Sequence, residues 1–172
     1  NPRGSLLWHP NDKLTTKLQY GSAFRAPTAN ERFFRNNPVT LGFEHLQPEQ
    51  VDTSELSIDY QWHDNLLSNI TFYQYKTTNL IEYVFDPQRN GNVAQNIGKQ
   101  DGRGVEATLK WRVAQRLNVE LNYAHVNAQN GQHQDIHSIP QNQYYAAINW
   151  QFAAGWQLHS SINRVNDRVR QA

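Results

Sequence analysis

From Gly104 to Val113 apolar and polar side chains alternate without a break. Val105, Ala107, Leu109, Trp111 and Val113 take one parity, and Glu106, Thr108, Lys110 and Arg112 take the other. A strand sends successive side chains to opposite faces, so this pattern predicts a strand with one apolar and one charged face. Helical spacing would scatter the same charges around a cylinder. The pattern recurs at Glu55 to Trp62, Leu117 to Tyr123, Leu14 to Tyr20, Ile148 to Phe152 and Trp156 to Asn163. Leu66 to Tyr75 carries apolar residues on both parities, which leaves its facing open. The reading is an all-β chain without helix. It is an antiparallel meander of about eight strands, near 4–8, 13–25, 51–62, 66–84, 95–113, 117–128, 143–152 and 156–166.

The connections alternate in length. Tight polar turns fall at Pro10-Asn11-Asp12, His63-Asp64-Asn65, Ala114-Gln115-Arg116 and Ala153-Ala154-Gly155. Long polar loops run from Ala26 to Gln50, Phe85 to Gln95 and Gln129 to Gln141. Short turns at one end and long loops at the other are the arrangement of a transmembrane barrel. Trp8, Trp62, Trp111, Trp150 and Trp156 all stand beside short turns, and Tyr20, Phe24, Tyr83, Tyr123 and Tyr144 gather towards the loops. Amphipathic rings settle at the two water–bilayer boundaries, whereas the core of a soluble sandwich would hold them mid-strand.

Composition narrows the choice. Only 38% of the residues are hydrophobic and 18% charged, with a mean hydropathy of −0.80. Amides fill the gap, with 19 Asn and 17 Gln. That balance suits either a sheet wet on one face or a barrel with a polar lumen. The net charge of +1 gives no reason to expect nucleic acid. No Cys is present, so disulfides, thiolate nucleophiles and cysteine zinc sites are excluded. No apolar run is long enough for a transmembrane helix.

Four motifs add to the pattern. Tyr20-Gly21-Ser22-Ala23-Phe24-Arg25-Ala26-Pro27 ends a strand before a long loop, and the loop returns through Leu46-Gln47-Pro48-Glu49. Asn79-Leu80-Ile81 ends another strand, and Asn96-Ile97-Gly98 precedes Gly104-Val105-Glu106. In this order the chain resembles the barrel of TonB-dependent receptors of the bacterial outer membrane. The resemblance implies a barrel around a plug domain, energised through TonB, that imports a scarce, bulky solute. A ferric siderophore is the expected solute, with haem or cobalamin as alternatives on the same scaffold. Residues 1–172 then form an internal section of the barrel wall, with plug and closing strands absent and the section ending at Arg170-Gln171-Ala172. Two other readings stay open: a complete eight-stranded outer-membrane barrel and a soluble glycan-binding β-sandwich.

Parity assigns candidate lumen- or plug-facing residues: Arg25, Glu55, Asp59, Glu106, Lys110, Arg112 and Glu120. Keeping them off the lipid face avoids a cost of ~2–4 kcal/mol for each Lys or Arg at mid-bilayer. The loop from Ala26 to Gln50 offers Arg32, Phe33, Phe34, Arg35 and His45 as ligand contacts, since cationic and aromatic groups suit an anionic chelate. His133-Gln134-Asp135-Ile136-His137 lacks rigid elements to converge its ligands, so no metal site and no cofactor are expected. Gly102-Arg103-Gly104 lacks the third glycine and following helix of a dinucleotide fingerprint. No nucleophile elbow or triad spacing occurs, and no enzyme is expected.

Overall fold

The computed structural model describes residues 1–35, 39–136 and 139–166. Nine strands form one sheet: β1 (Arg3–Asn11), β2 (Leu14–Arg25), β3 (Thr40–Leu41), β4 (Glu49–His63), β5 (Leu66–Asp86), β6 (Gly91–Ala114), β7 (Leu117–Asn130), β8 (Asn142–Ala153) and β9 (Trp156–Asn166). Eight of them follow one another as antiparallel neighbours, in the order β1-β2-β4-β5-β6-β7-β8-β9. The two-residue β3 lies off this path and pairs with β6 in parallel. Two-residue turns close the short ends. At the first, the Asn11 side-chain oxygen accepts from the backbone N–H of Lys13 and of Leu14, each at 3.0 Å.

Register carries the alternation across the whole sheet. Leu18, Leu56, Phe72 and Val105 lie in one cross-strand row. The next row towards the short turns holds Ile58, Ile70, Ala107, Tyr123 and Tyr144, and the one after it Leu109, Leu121, Ala146 and Ile162. Register also resolves β5. Leu66, Ile70 and Phe72 share this apolar face, while Leu67 sits opposite Lys110 on the other.

The apolar face is uncovered. Buried apolar residues number only Leu46, Val93, Ala94, Ala128 and Ala147 among the described residues, whereas Ile162 is 68% exposed and Trp156 66%. A sandwich would bury this face against a second sheet. The described residues form a single sheet, which overturns the glycan-binding sandwich. The hydrogen-bonded path runs from β1 to β9 without pairing the two, so among the described residues the sheet is open and not a complete small barrel.

Trp8 lies in the row of Ile58 and Ala107. Trp111 lies two rows nearer the short turns, Trp150 one row further, and Trp156 beyond that. The tryptophan line therefore slants across the hydrogen-bonded rows. Strands tilted against a horizontal boundary produce this slant, and tilt is what barrel closure requires.

Three expectations are corrected. The loop from Ala26 to Gln50 contains a five-residue helix, α1 (Ala29–Phe33), besides β3. The loop expected from Phe85 to Gln95 is mostly strand, because β5 and β6 run on together to a turn at residues 87–90. β7 likewise continues to Asn130 before a tight turn. Of the sequence features singled out above, His137 and the terminal Arg170-Gln171-Ala172 lie outside the described residues.

Candidate functional site

At the loop end, residues far apart in the chain close into one hydrogen-bonded clasp. Arg25 is the last residue of β2 and pairs in register with Glu49, the first of β4. Its guanidinium donates to both Glu49 oxygens, Nε to Oε2 at 2.5 Å and Nη2 to Oε1 at 2.7 Å. It also donates to both oxygens of Glu31, from Nη1 and Nη2, at 3.0 Å each. Two carboxylates thus fill the donor fork of one arginine. Glu31 belongs to α1, where it completes a capping box: the Thr28 N–H donates to Glu31 Oε2 at 2.7 Å, and the Glu31 N–H donates to Thr28 Oγ1 at 3.3 Å. The Arg25 guanidinium, helped by the Thr28 donors, holds the Glu31 carboxyl down to about 2.

The clasp extends into the β5–β6 pair. Glu49 Oε1 accepts from the backbone N–H of Ile81 at 2.9 Å. Asn96 acts as a two-way clamp on Gln47, with Nδ2 donating to Gln47 O at 2.9 Å and Oδ1 accepting from Gln47 N at 2.7 Å. The same Nδ2 reaches Asn79 O at 2.8 Å. Asn79 has φ 57°, a left-handed conformation that Asn tolerates better than most residues, and β5 shifts register beside it. Beside Asn96, Gly98 leaves no room for a side chain, since a Cβ would lie 2.3 Å from Glu82 Oε1 and 2.6 Å from Leu80 Cβ. All four sequence motifs meet here.

The loop itself folds onto α1. Gly42 N donates to Phe34 O at 2.7 Å, and Phe43 N to Glu31 O at 2.9 Å. Arg32 donates to Glu44 O from Nε at 3.0 Å and Nη2 at 2.8 Å, and Asn92 N donates to Val39 O at 2.9 Å. These contacts shape a cleft of about 330 Å³ lined by Phe34, Arg35, Leu41, Gly42, Phe43, Glu44, His45 and Arg89. His45 meets Phe43 edge-on at 5.6 Å, and the Arg89 guanidinium lies 5.8 Å from the Phe43 ring centre. Arg35 is paired with Glu44, and Arg89 with Asp86 at 3.7 Å.

The family model for the TonB dependent receptor-like β-barrel matches residues 1–171. The chain belongs to this family. It is a stretch of outer-membrane receptor barrel, and the family is one of transporters and receptors, not enzymes. A vitamin B12 transporter, BtuB of Vibrio cholerae, is 37% identical over 108 residues, 61% of this chain and 16% of the transporter. Two solved structures share the fold. The ferric enterobactin receptor PfeA of Pseudomonas aeruginosa, in complex with enterobactin, has a TM-score of 0.77 at 19% identity, covering 96% of this chain and 28% of that one. The siderophore receptor PirA of the same organism has a TM-score of 0.72 at 21% identity, covering 95% and 30%. The chain thus spans about a sixth of the length of its curated relatives.

Of the five ligand candidates on this receptor loop, Phe34, Arg35 and His45 line the cleft. Arg32 and Phe33 do not. Arg32 supports the loop backbone and sits 5.2 Å from the Phe33 ring centre, and Phe33 is 53% exposed. Sequence reasoning missed Phe43 and Glu44, which adjoin His45, and Arg89, which arrives from another connection. Only the parallel pairing of β3 with β6 brings Arg89 there, and a two-residue strand leaves no trace in periodicity.

Register puts Glu55, Asp59, Glu106, Lys110, Arg112 and Glu120 on the face of the sheet opposite the apolar rows, with Arg25 at its loop end. Lys110 faces Glu120 across strands, and Asp59 Oδ1 accepts from Asn69 Nδ2 at 2.8 Å. Arg112 Nη2 reaches Asp64 O at 3.2 Å. Asn122 Nδ2 donates to Glu120 at 3.1 Å, while its own Oδ1 is buried without a partner.

Proposed function

We propose that this chain is an internal section of a receptor that imports a scarce, bulky corrinoid of the vitamin B12 class across the outer membrane. The single observation carrying the solute class is the 37% identity to a vitamin B12 transporter. The cleft agrees in its charge. Its two guanidiniums are each engaged by a carboxylate, Glu44 for Arg35 and Asp86 for Arg89, which leaves the rings of Phe34, Phe43 and His45 for a large, amide-decorated ligand. A second reading, the ferric siderophore expected from sequence, draws on the same two arginines converging beside Phe43. Haem would make His45 an axial ligand, which its edge contact with Phe43 does not favour.

The polar face lines the lumen and meets the receptor's plug, and the partnerless Asn122 Oδ1 is a point where a plug donor fits. The apolar face meets lipid. Energy reaches the plug through TonB from the inner membrane, because the outer membrane holds neither ion gradient nor ATP. The test is uptake by a strain whose own receptors are deleted and which carries the full-length gene. Radiolabelled cyanocobalamin should accumulate in a TonB-dependent manner, and neither ferric siderophores nor haem should compete. Siderophore uptake without cobalamin uptake would replace the first reading with the second.

A further inference from the structure

The charges around the solute cleft cancel. Between residues 25 and 49 three arginines meet three glutamates, and the β5–β6 turn adds one of each sign, Asp86 and Arg89. Loop and turn together therefore carry no net charge, with histidine neutral. Two of the carboxylates stand against the cleft's own cations. Arg35 pairs with Glu44, and Arg89 Nε lies 3.7 Å from Asp86 Oδ2.

These pairs do not serve to hold the loop. The side chains are 70% and 47% exposed in the first pair and 48% and 26% in the second. Ion pairs in such contact with water add little to stability. The loop is already held by β3 on β6 and by Asn96 on Gln47. Both carboxylates are nevertheless fixed in place. Arg32 donates twice to the Glu44 backbone oxygen, which anchors the base of that side chain. Asp86 Oδ1 accepts from the Gln88 N–H at 2.9 Å, which leaves Oδ2 for Arg89. Without the two carboxylates the cleft would present two bare guanidiniums beside the rings of Phe43 and His45. A concave site lined by one sign of charge focuses its field and draws in the opposite ion.

We infer that Glu44 and Asp86 are specificity-determining residues, which screen Arg35 and Arg89 so that the cleft turns away anionic iron chelates and admits an uncharged corrinoid. The inference rests on the corrinoid reading above. An anionic ferric tris-catecholate meets a carboxylate beside each guanidinium, and loses by repulsion what it gains by attraction. A solute without net charge is indifferent to that balance and is held by the rings. Selection of this kind works by penalising the wrong solute as much as by fitting the right one.

The test uses the full-length receptor, purified in detergent, with direct binding of ferric enterobactin and of cyanocobalamin as the readout. Wild type should bind cyanocobalamin in preference to ferric enterobactin. Glu44→Gln and Asp86→Asn should each raise ferric enterobactin affinity about fivefold, and the pair about twentyfold. The two carboxylates lie on separate connections, so one variant carries the test if the other fails to assemble. The gain should shrink as salt is raised, because exposed charge carries it. Arg35→Gln should cancel the gain of Glu44→Gln, which a carboxylate acting only on loop shape would not produce. Ferric enterobactin affinity unchanged in both single variants and in the pair would overturn the inference. So would an equal gain from Asp101→Asn, a carboxylate that does not line the cleft, since net charge alone would then suffice. The two readings fail separately. A wild type that binds ferric enterobactin and not cyanocobalamin removes the corrinoid reading, and the ratios between variants still decide the role of Glu44 and Asp86.

Discussion

Glu49 does the work of two connectors, since one carboxylate holds Arg25 through both oxygens and caps the Ile81 N–H. Charge-assisted hydrogen bonds contribute ~1.5–3 kcal/mol each, and the partial exposure of Arg25 places this pair at or below the lower end. Glu49→Gln in the full-length receptor should loosen the loop from 26 to 50, raising its proteolytic cleavage rate while the barrel stays assembled. Glu31 makes the same loop acid-sensitive. Its folded value of about 2 lies below the ordinary 4.5, so the stabilisation is complete above the ordinary value and is lost as pH falls towards 2. Hydrogen exchange at the Glu31 and Phe43 amides, corrected for intrinsic rates, should stay slow at pH 5 and rise between pH 4.5 and pH 2. In Glu31→Gln that dependence should flatten. Glycines divide just as sharply. A Cβ on Gly104 would lie 2.4 Å from the His125 carbonyl oxygen, whereas one on Gly4 meets nothing within 4 Å. Gly104→Ala should cost ~1–3 kcal/mol, read as a lower unfolding temperature of the barrel, and Gly4→Ala should leave it unchanged.

Strands in contact with lipid were legible because only there do the two faces demand different residues. The register of β2, β4, β6 and β7 follows the alternation read from Leu14, Glu55, Val105 and Leu117. Past residue 84 the β5–β6 pair continues without alternation, since the adjacent Val93 and Ala94 are both buried although a strand points them to opposite faces, and this extension reads as loop. α1 hid for another reason: five residues are too few for a helical period. Its one visible mark was Thr28-Ala29-Asn30-Glu31, a capping-box spacing. Thr28→Ala should remove about 1 kcal/mol of local stability. It should speed exchange at Arg32 and Phe34, whose amides bond back to Thr28 and Asn30. In the cleft, Phe34, Arg35 and His45 were within reach because they share one loop, and Arg89 was not because a tertiary pairing delivers it.

Across the whole sheet, the two faces set what substitutions an outer-membrane barrel tolerates. Leu109→Arg places a cation among Leu121, Ala146 and Ile162 and should cost ~2–4 kcal/mol if that row sits at mid-bilayer. Lys110→Gln changes only the opposite face. Levels of the heat-modifiable, folded form in outer membranes should therefore fall for the first and hold for the second. The clasp of Arg25, Glu31, Gln47, Glu49, Ile81 and Asn96 carries a different consequence. A two-residue slip between neighbouring strands exchanges Leu for Leu and Glu for Asp, keeps every side chain on its own face, and goes unpunished by lipid or water. The clasp forms only when β2, β4, β5 and β6 are all aligned, because its hydrogen bonds join Arg25 to Glu49, Glu49 to Ile81 and Gln47 to Asn96. It therefore serves as a checksum for barrel assembly, detecting the one class of error to which the alternating pattern is blind.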